Sequence, residues 1–225
     1  MNRINTLRPV AALLWLFPAL AFSAETIDEI VVTADFRERP AADVPASITV
    51  LDAAEIEARS VQHFEELVGA IPNFNWSGDG HRAKYFQMRG VGELEQYQGA
   101  PNPSVGFLVD DIDFSGIGGI ATLFDMQSVE VLRGPQGTRY GANALAGLVY
   151  MRSAEPTAEF NGHVELQAGD DGMLAGGAAV GGGLNAGDTV MGRVSVHYHE
   201  SNGFRENSYL NRDDTNNREE MTVRG

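Results

Sequence analysis

From about residue 160 onward, apolar and polar side chains alternate one by one. Val164, Leu166 and Ala168 alternate with His163, Glu165 and Gln167; Val190, Val194, Val196 and Tyr198 alternate with Met191, Arg193, Ser195, His197 and His199. A period of two sorts each class onto its own face of a strand. The glycine-rich stretch 174–184 is a third, weaker strand, and Met221 and Val223 alternating with Glu220, Thr222 and Arg224 make a fourth. Asp170-Asp171-Gly172 and Asn185-Ala186-Gly187-Asp188 supply tight turns, and the polar run 201–217 reads as a long loop. A soluble antiparallel sheet would share this pattern. Segments of ~9–11 residues, apolar outward and polar inward, are also what the wall of a transmembrane barrel requires.

Between residues 40 and 156 the pattern is mixed. The run 45–51 predicts a strand, and Asp52 followed by Glu55 predicts a capping box for a helix at 53–59. Ser60 is expected to cap a second helix, in which Val61, Phe64, Leu67, Val68 and Ile71 recur at helical spacing until Pro72 ends it. Strands are predicted at 85–91, 105–110, 128–133 and 147–152, separated by glycine-rich loops. Short strands mixed with helices give an α+β domain long enough to bury a core of its own. The tail from 157 is expected to lack such cover.

The N-terminus changes the picture of where this chain resides. Arg3 and Arg8 precede the short apolar run 10–21, and small residues follow, which predicts a signal peptide at 1–23. The run is shorter than the ~20 residues of a spanning helix and contains Pro18. Residues 24–39 then hold the β-branched run 27–34, free of glycine and proline and suited to addition at a partner's sheet edge, followed by a polar linker. The net charge of -15 opposes binding to nucleic acid, and the absence of cysteine excludes thiolate catalysis and disulfide scaffolding.

Candidate chemistry is sparse. Asp110, Asp111 and Asp113 form the one dense carboxylate cluster, conceivable as a cation site or acid/base pair but better read as flanking an exposed turn. His197 and His199 share a face without an evident third ligand, so they read as polar filling. No nucleotide-binding, hydrolase or zinc-protease motif occurs, and no catalytic residue, metal site or cofactor is assigned.

One segment carries more information than the rest: S-V-E-V-L-R-G-P-Q-G-T-R-Y-G-A-N-A-L-A-G-L-V-Y-M at 128–151. With V-P-A-S-I-T-V-L at 44–51, P-N-F at 72–74, Q-M-R-G-V-G at 87–92 and Val109-Asp110, all in this order, it resembles the plug domain of TonB-dependent outer-membrane transporters. Met88 and the Val149-Tyr150-Met151-Arg152-Ser153 exit depart from the usual pattern. The resemblance implies a TonB box at Ile27, Asp28, Glu29, Ile30, Val31, Val32, Thr33 and Ala34, taken up by TonB as an added strand, a plug domain at 40–156, and the first strands of an incomplete transmembrane β-barrel at 157–225. Since such barrels have about 22 strands, the chain is expected to be a fragment or a truncated product. By the same resemblance, Arg89 and Arg133 occupy the family positions that pair with barrel glutamates to lock the plug in the lumen. Ligand contact is expected from apical loops at 75–84, 93–103 and 114–119, through Trp76, His81, Arg82, Tyr85, Tyr97 and Gln98. The implied role is energised uptake of a scarce small molecule, a ferric siderophore first, with cobalamin, haem and oligosaccharide as other possibilities. Alternatives are a soluble periplasmic binding module with a plug fold and a non-functional truncated receptor. N-terminal sequencing of exported protein should find a start between Ala21 and Ala24, and a retained Met1 would remove both the signal peptide and the envelope location.

Overall fold

The computed structural model describes residues 31–32, 39–78, 82–94, 102–117, 121–185, 187, 189–212 and 214–225. The predicted signal peptide, the residues Ile27, Asp28, Glu29, Ile30, Thr33 and Ala34, and the loop residues His81, Tyr97 and Gln98 lie outside the described residues. Of the expected TonB box, Val31 and Val32 are described: they form β1 (Val31–Val32), antiparallel to β2 (Arg39–Pro40).

β3 (Ser47–Asp52) runs directly into α1 (Ala53–Arg59), because the Asp52 carboxylate accepts the N–H of Glu55 at 2.8 Å and satisfies a helix-end donor. The next step departs from the sequence expectation. Ser60 does not cap a second helix; it closes the first in the left-handed conformation, at φ 52°, with its N–H on Glu57 O at 3.0 Å. His63 caps α2 (Phe64–Leu67) instead, its Nδ1 accepting from the Glu65 N–H at 3.4 Å. The helical stripe is thus one α turn continued by a 3-10 turn, Val68–Ala70. β4 (Phe74–Ser77) pairs with β5 (Tyr85–Met88), a hairpin the sequence pattern concealed behind the Pro72-Asn73-Phe74 turn. Then come β6 (Val105–Val109), β7 (Ile112–Asp113), β8 (Met126–Arg133), the short α3 (Gly137–Tyr140) and β9 (Gly147–Ser153).

The main sheet of this α+β domain has the order β3-β8-β9-β6-β7, antiparallel except between β6 and β9. Its core centres on Phe64, fully buried, whose ring meets Phe74, Phe86 and Phe107 edge-on at centroid distances of 5.8, 5.4 and 5.5 Å. α2 is pinned to the sheet by aromatic contacts at favourable geometry.

β10 (Asn161–Ala168), β11 (Leu174–Gly183), β12 (Met191–Ser201) and β13 (Arg218–Arg224) form a separate antiparallel sheet in chain order. The sheet is open, with no closed barrel. Its register aligns His163, Ala179, Ser195 and Arg224 in one row, and Glu165, Gly177, His197 and Thr222 in the next. The predicted alternation therefore becomes two faces: Val164, Leu166, Val194, Met221 and Val223 are exposed on the outer one, while His197, His199 and Ser195 are buried on the inner one. The α+β domain covers the polar inner face, while the apolar outer face stays uncovered as expected. Phe64→Ala should lower the unfolding free energy of that domain by about 3–5 kcal/mol, seen as a lower urea midpoint; an unchanged midpoint would remove Phe64 from the centre of the core.

Candidate functional site

The inner face of the four-stranded sheet meets the α+β domain along one seam, and the charged groups of both sides converge there. Arg82 is its hub. Its Nε donates to Glu220 Oε1 at 2.6 Å, Nη1 to Glu65 Oε1 at 2.8 Å and Nη2 to Gln62 Oε1 at 2.9 Å. Gln62 Nε2 donates to Glu220 Oε2 at 3.2 Å, and Arg218 of β13 lies 3.1 Å from Glu65. Glu65 also accepts the N–H of Ala83 at 2.9 Å. Breaking one partner of such a buried set leaves an uncompensated charge, at a cost of about 3–5 kcal/mol.

The second contact is made by residues 121–126. Thr122 Oγ1 and Thr222 Oγ1 are 3.0 Å apart. Phe124 sits between His163 and His197, with ring centroids at 5.1 Å from each. A Cβ at position 177 would lie 2.6 Å from the Phe124 ring, so the seat exists because β11 has glycine there. Asp125, at φ 59°, turns its carboxylate into the fork of Arg193, whose Nε and Nη2 donate at 2.9 and 2.5 Å. Arg224 donates to the carbonyl of Phe124 and to Ser153 Oγ. The two contacts are joined through backbone: Phe64 N–H donates to Ala121 O at 2.9 Å and Leu123 N–H to Gln62 O at 3.0 Å.

Of the residues singled out from sequence, Arg82 is drawn into this seam, its donors committed to Glu65, Gln62 and Glu220. Tyr85 is buried in β5, and Trp76 is half-buried against the aromatic core. Arg133 bonds the hydroxyls of Ser47 and Thr49 at 3.1 and 2.8 Å; Arg89 is exposed in a left-handed turn at φ 54°. Burial first, and then the charge of Arg89, lower the pKa of Arg133, which places the two cations near one another. The aspartate trio does not converge: Asp110 accepts from Ser153, Asp111 from the Tyr150 hydroxyl at 2.8 Å, and Asp113 from Ser115 and Asn143. Among the described residues no group of three or more histidines and carboxylates has metal-binding geometry. The seam partners Glu65, Gln62, Asp125, Arg193 and Glu220 escaped sequence reasoning. Arg193 and Glu220 were legible as polar positions of alternating strands, whereas nothing in the local pattern marks Gln62, Glu65 and Asp125.

An α+β domain docked on the polar face of a sheet whose other face is apolar is the arrangement of a lumenal plug against the wall of an outer-membrane barrel. Residues 40–148 match the family model of the TonB-dependent Receptor Plug Domain. The Pesticin receptor of Yersinia pestis is 32% identical over 169 residues, covering 72% of this chain and 24% of that protein. The Vitamin B12 transporter BtuB of Vibrio vulnificus (strain CMCP6) is 33% identical over 159 residues, covering 67% and 25%. The crystal structure of the ferric yersiniabactin uptake receptor FyuA from Yersinia pestis matches with a TM-score of 0.59 at 28% identity, covering 69% of this chain and 24% of that one. The FpvAI-pyocin S2 complex matches in fold, with a TM-score of 0.66 at 23% identity over 78% and 23%. The chain belongs to the TonB-dependent outer-membrane receptors, and it spans about a quarter of the length of the curated relatives it matches.

Beside the hub lies His63, 1% exposed. Burial first, and then the Arg82 charge, bring its pKa from 6.5 down to about 4. Glu65 is held below the ordinary carboxylate range: burial alone would raise it, but the Ala83 N–H and the Arg82 guanidinium outweigh burial. A histidine with a depressed folded pKa contributes stability that is present above 6.5 and lost as pH falls towards 4, a gap worth on the order of 3 kcal/mol. Glu65 acts in the same direction, but below its ordinary value of 4.5, so of these two groups it is His63 that acts between 6.5 and 4.5. Urea unfolding between pH 7 and pH 4.5 should therefore show a loss that is smaller in His63→Asn, which keeps a capping acceptor but does not titrate; parallel curves for the two proteins would contradict the assignment.

Proposed function

We propose that this chain supplies the plug and front wall of a receptor that brings a scarce small molecule across the outer membrane, energised through TonB. The observation that carries the reading is the seam: a domain fixed by buried ion pairs to the inner face of a sheet whose outer face presents Val164, Leu166, Val194, Met221 and Val223 to its surroundings. Such an exposed apolar face disfavours the soluble periplasmic module and fits a wall in hydrocarbon. Among the relatives, one is named for uptake of ferric yersiniabactin and another for transport of vitamin B12. A ferric siderophore is the first candidate ligand and cobalamin the second.

In this reading the precursor loses residues 1–23, and Ile27 to Ala34 pairs with TonB as an added strand. β1 is already laddered to Arg39 and Pro40 on one edge. Its other edge is the one offered. Ligand contact falls to Trp76, His81, Tyr97 and Gln98 in the apical region, Tyr85 being buried in β5, with Arg82 linking that region to the wall through Glu220. Arg89 and Arg133, two neighbouring cations without an ion pair among the described residues, are assigned to carboxylates of further wall strands.

TonB recognition is directly measurable. The purified C-terminal domain of TonB should bind the exported chain in detergent, and Ile30→Pro, which removes a ladder donor from the middle of the box, should weaken binding about tenfold or more. Equal binding by both proteins would place the TonB contact elsewhere.

A further inference from the structure

We infer that the plug docks on the first four wall strands before the wall closes, and that the seating of Phe124 over Gly177 is the step that sets this docking. The inference rests on the plug and wall architecture and is independent of ligand and TonB.

Every wall strand from β10 to β13 contributes to the seat: His163 from β10, Gly177 from β11, Arg193 and His197 from β12, Thr222 and Arg224 from β13. The linker between β9 and β10 is only residues 154–160, so once plug and wall exist they meet at an effective concentration of millimolar order, with little closure entropy left to overcome.

Charge adds direction. The Asp125 and Glu65 side chains are 4% and 5% exposed once docked, and their counter-ions Arg193 and Arg218 come from the wall. Undocked, those arginines would stand on a bare sheet face. Docking neutralises both sides at once and leaves open the outer strands β10 and β13, whose free edges are then available for further antiparallel strands.

The chain contains no cysteine, so engineered pairs report without background. With Thr122 and Thr222 hydroxyls 3.0 Å apart, Thr122→Cys with Thr222→Cys should oxidise to a disulfide across the seam when the chain is refolded from urea into dodecyl maltoside micelles. A second pair, Val196→Cys with Val223→Cys, joins cross-strand partners on the outer face and reports the wall ladder alone. Gly177→Leu should slow seam cross-linking about tenfold or more by overpacking the seat, whereas Ala178→Leu, on the opposite face of the same strand, should leave it unchanged. If Gly177→Leu also abolishes the ladder pair while Ala178→Leu preserves it, the wall depends on docking, which agrees with the inference. A chain that forms the ladder disulfide but not the seam disulfide would overturn it, as would seam cross-linking at the parental rate in Gly177→Leu.

Discussion

A wall that faces hydrocarbon on one side gathers most of its charged residues on the other, and this asymmetry governs the rest of the molecule; on the outer face the paired Glu200 and Glu219 stand near one end of the ladder. Arg193, Arg218, Glu220 and Arg224 all project from β12 and β13 towards the plug, because the outer rows are occupied by Val194, Val196, Met221 and Val223. Charges gathered on a covered inner face must be answered, since a buried unpaired ion costs several kcal/mol. The plug answers with Asp125 for Arg193, Arg82 for Glu220 and Glu65 for Arg218. The complementarity is mutual, and it orients the plug as well as holding it.

Small residues on β11 make the approach possible. Ala175, Gly177 and Ala179 occupy the inner rows of that strand, between the polar rows of β10 and β12. Bulkier side chains would hold the plug off and lengthen each ion pair beyond hydrogen-bonding distance. The glycine-rich sequence of β11 weakens its strand signal for the same reason that it serves the fold: a strand that supports a close neighbour has little side chain of its own to show.

Much of this was legible along the chain, and the limits of legibility have physical causes. The wall could be read because a period of two maps one residue class onto one face, and α1 because the Asp52 and Glu55 capping signal is local. The ordered plug motifs pointed to the family. Ser60 was misread since serine serves equally at the start of a helix and, in a left-handed turn, at its end; backbone conformation decides, and sequence does not display it. The strand β4 was hidden because its pairing with β5 is set across a turn rather than by its own pattern. The seam was the least visible part. Arg82 and Glu220 are separated by 138 positions, and Asp125 and Arg193 by 68. Neither pair follows a helical or strand period, so only the docked fold brings them together.

The seam also explains why its two contacts should act as one. Residues 62–64 carry the hub through Gln62 and the His63 cap, and they bond by backbone to 121–123, which lead directly into Phe124 and Asp125. A displacement of Arg82 therefore pulls on the segment that holds Phe124 between its histidines. Because Asp125 is fixed in a left-handed conformation by its neighbours, that segment has little freedom to absorb the movement locally. The plug is thus held to the front wall by a single linked surface, and loosening it at the hub requires loosening it at the aromatic seat.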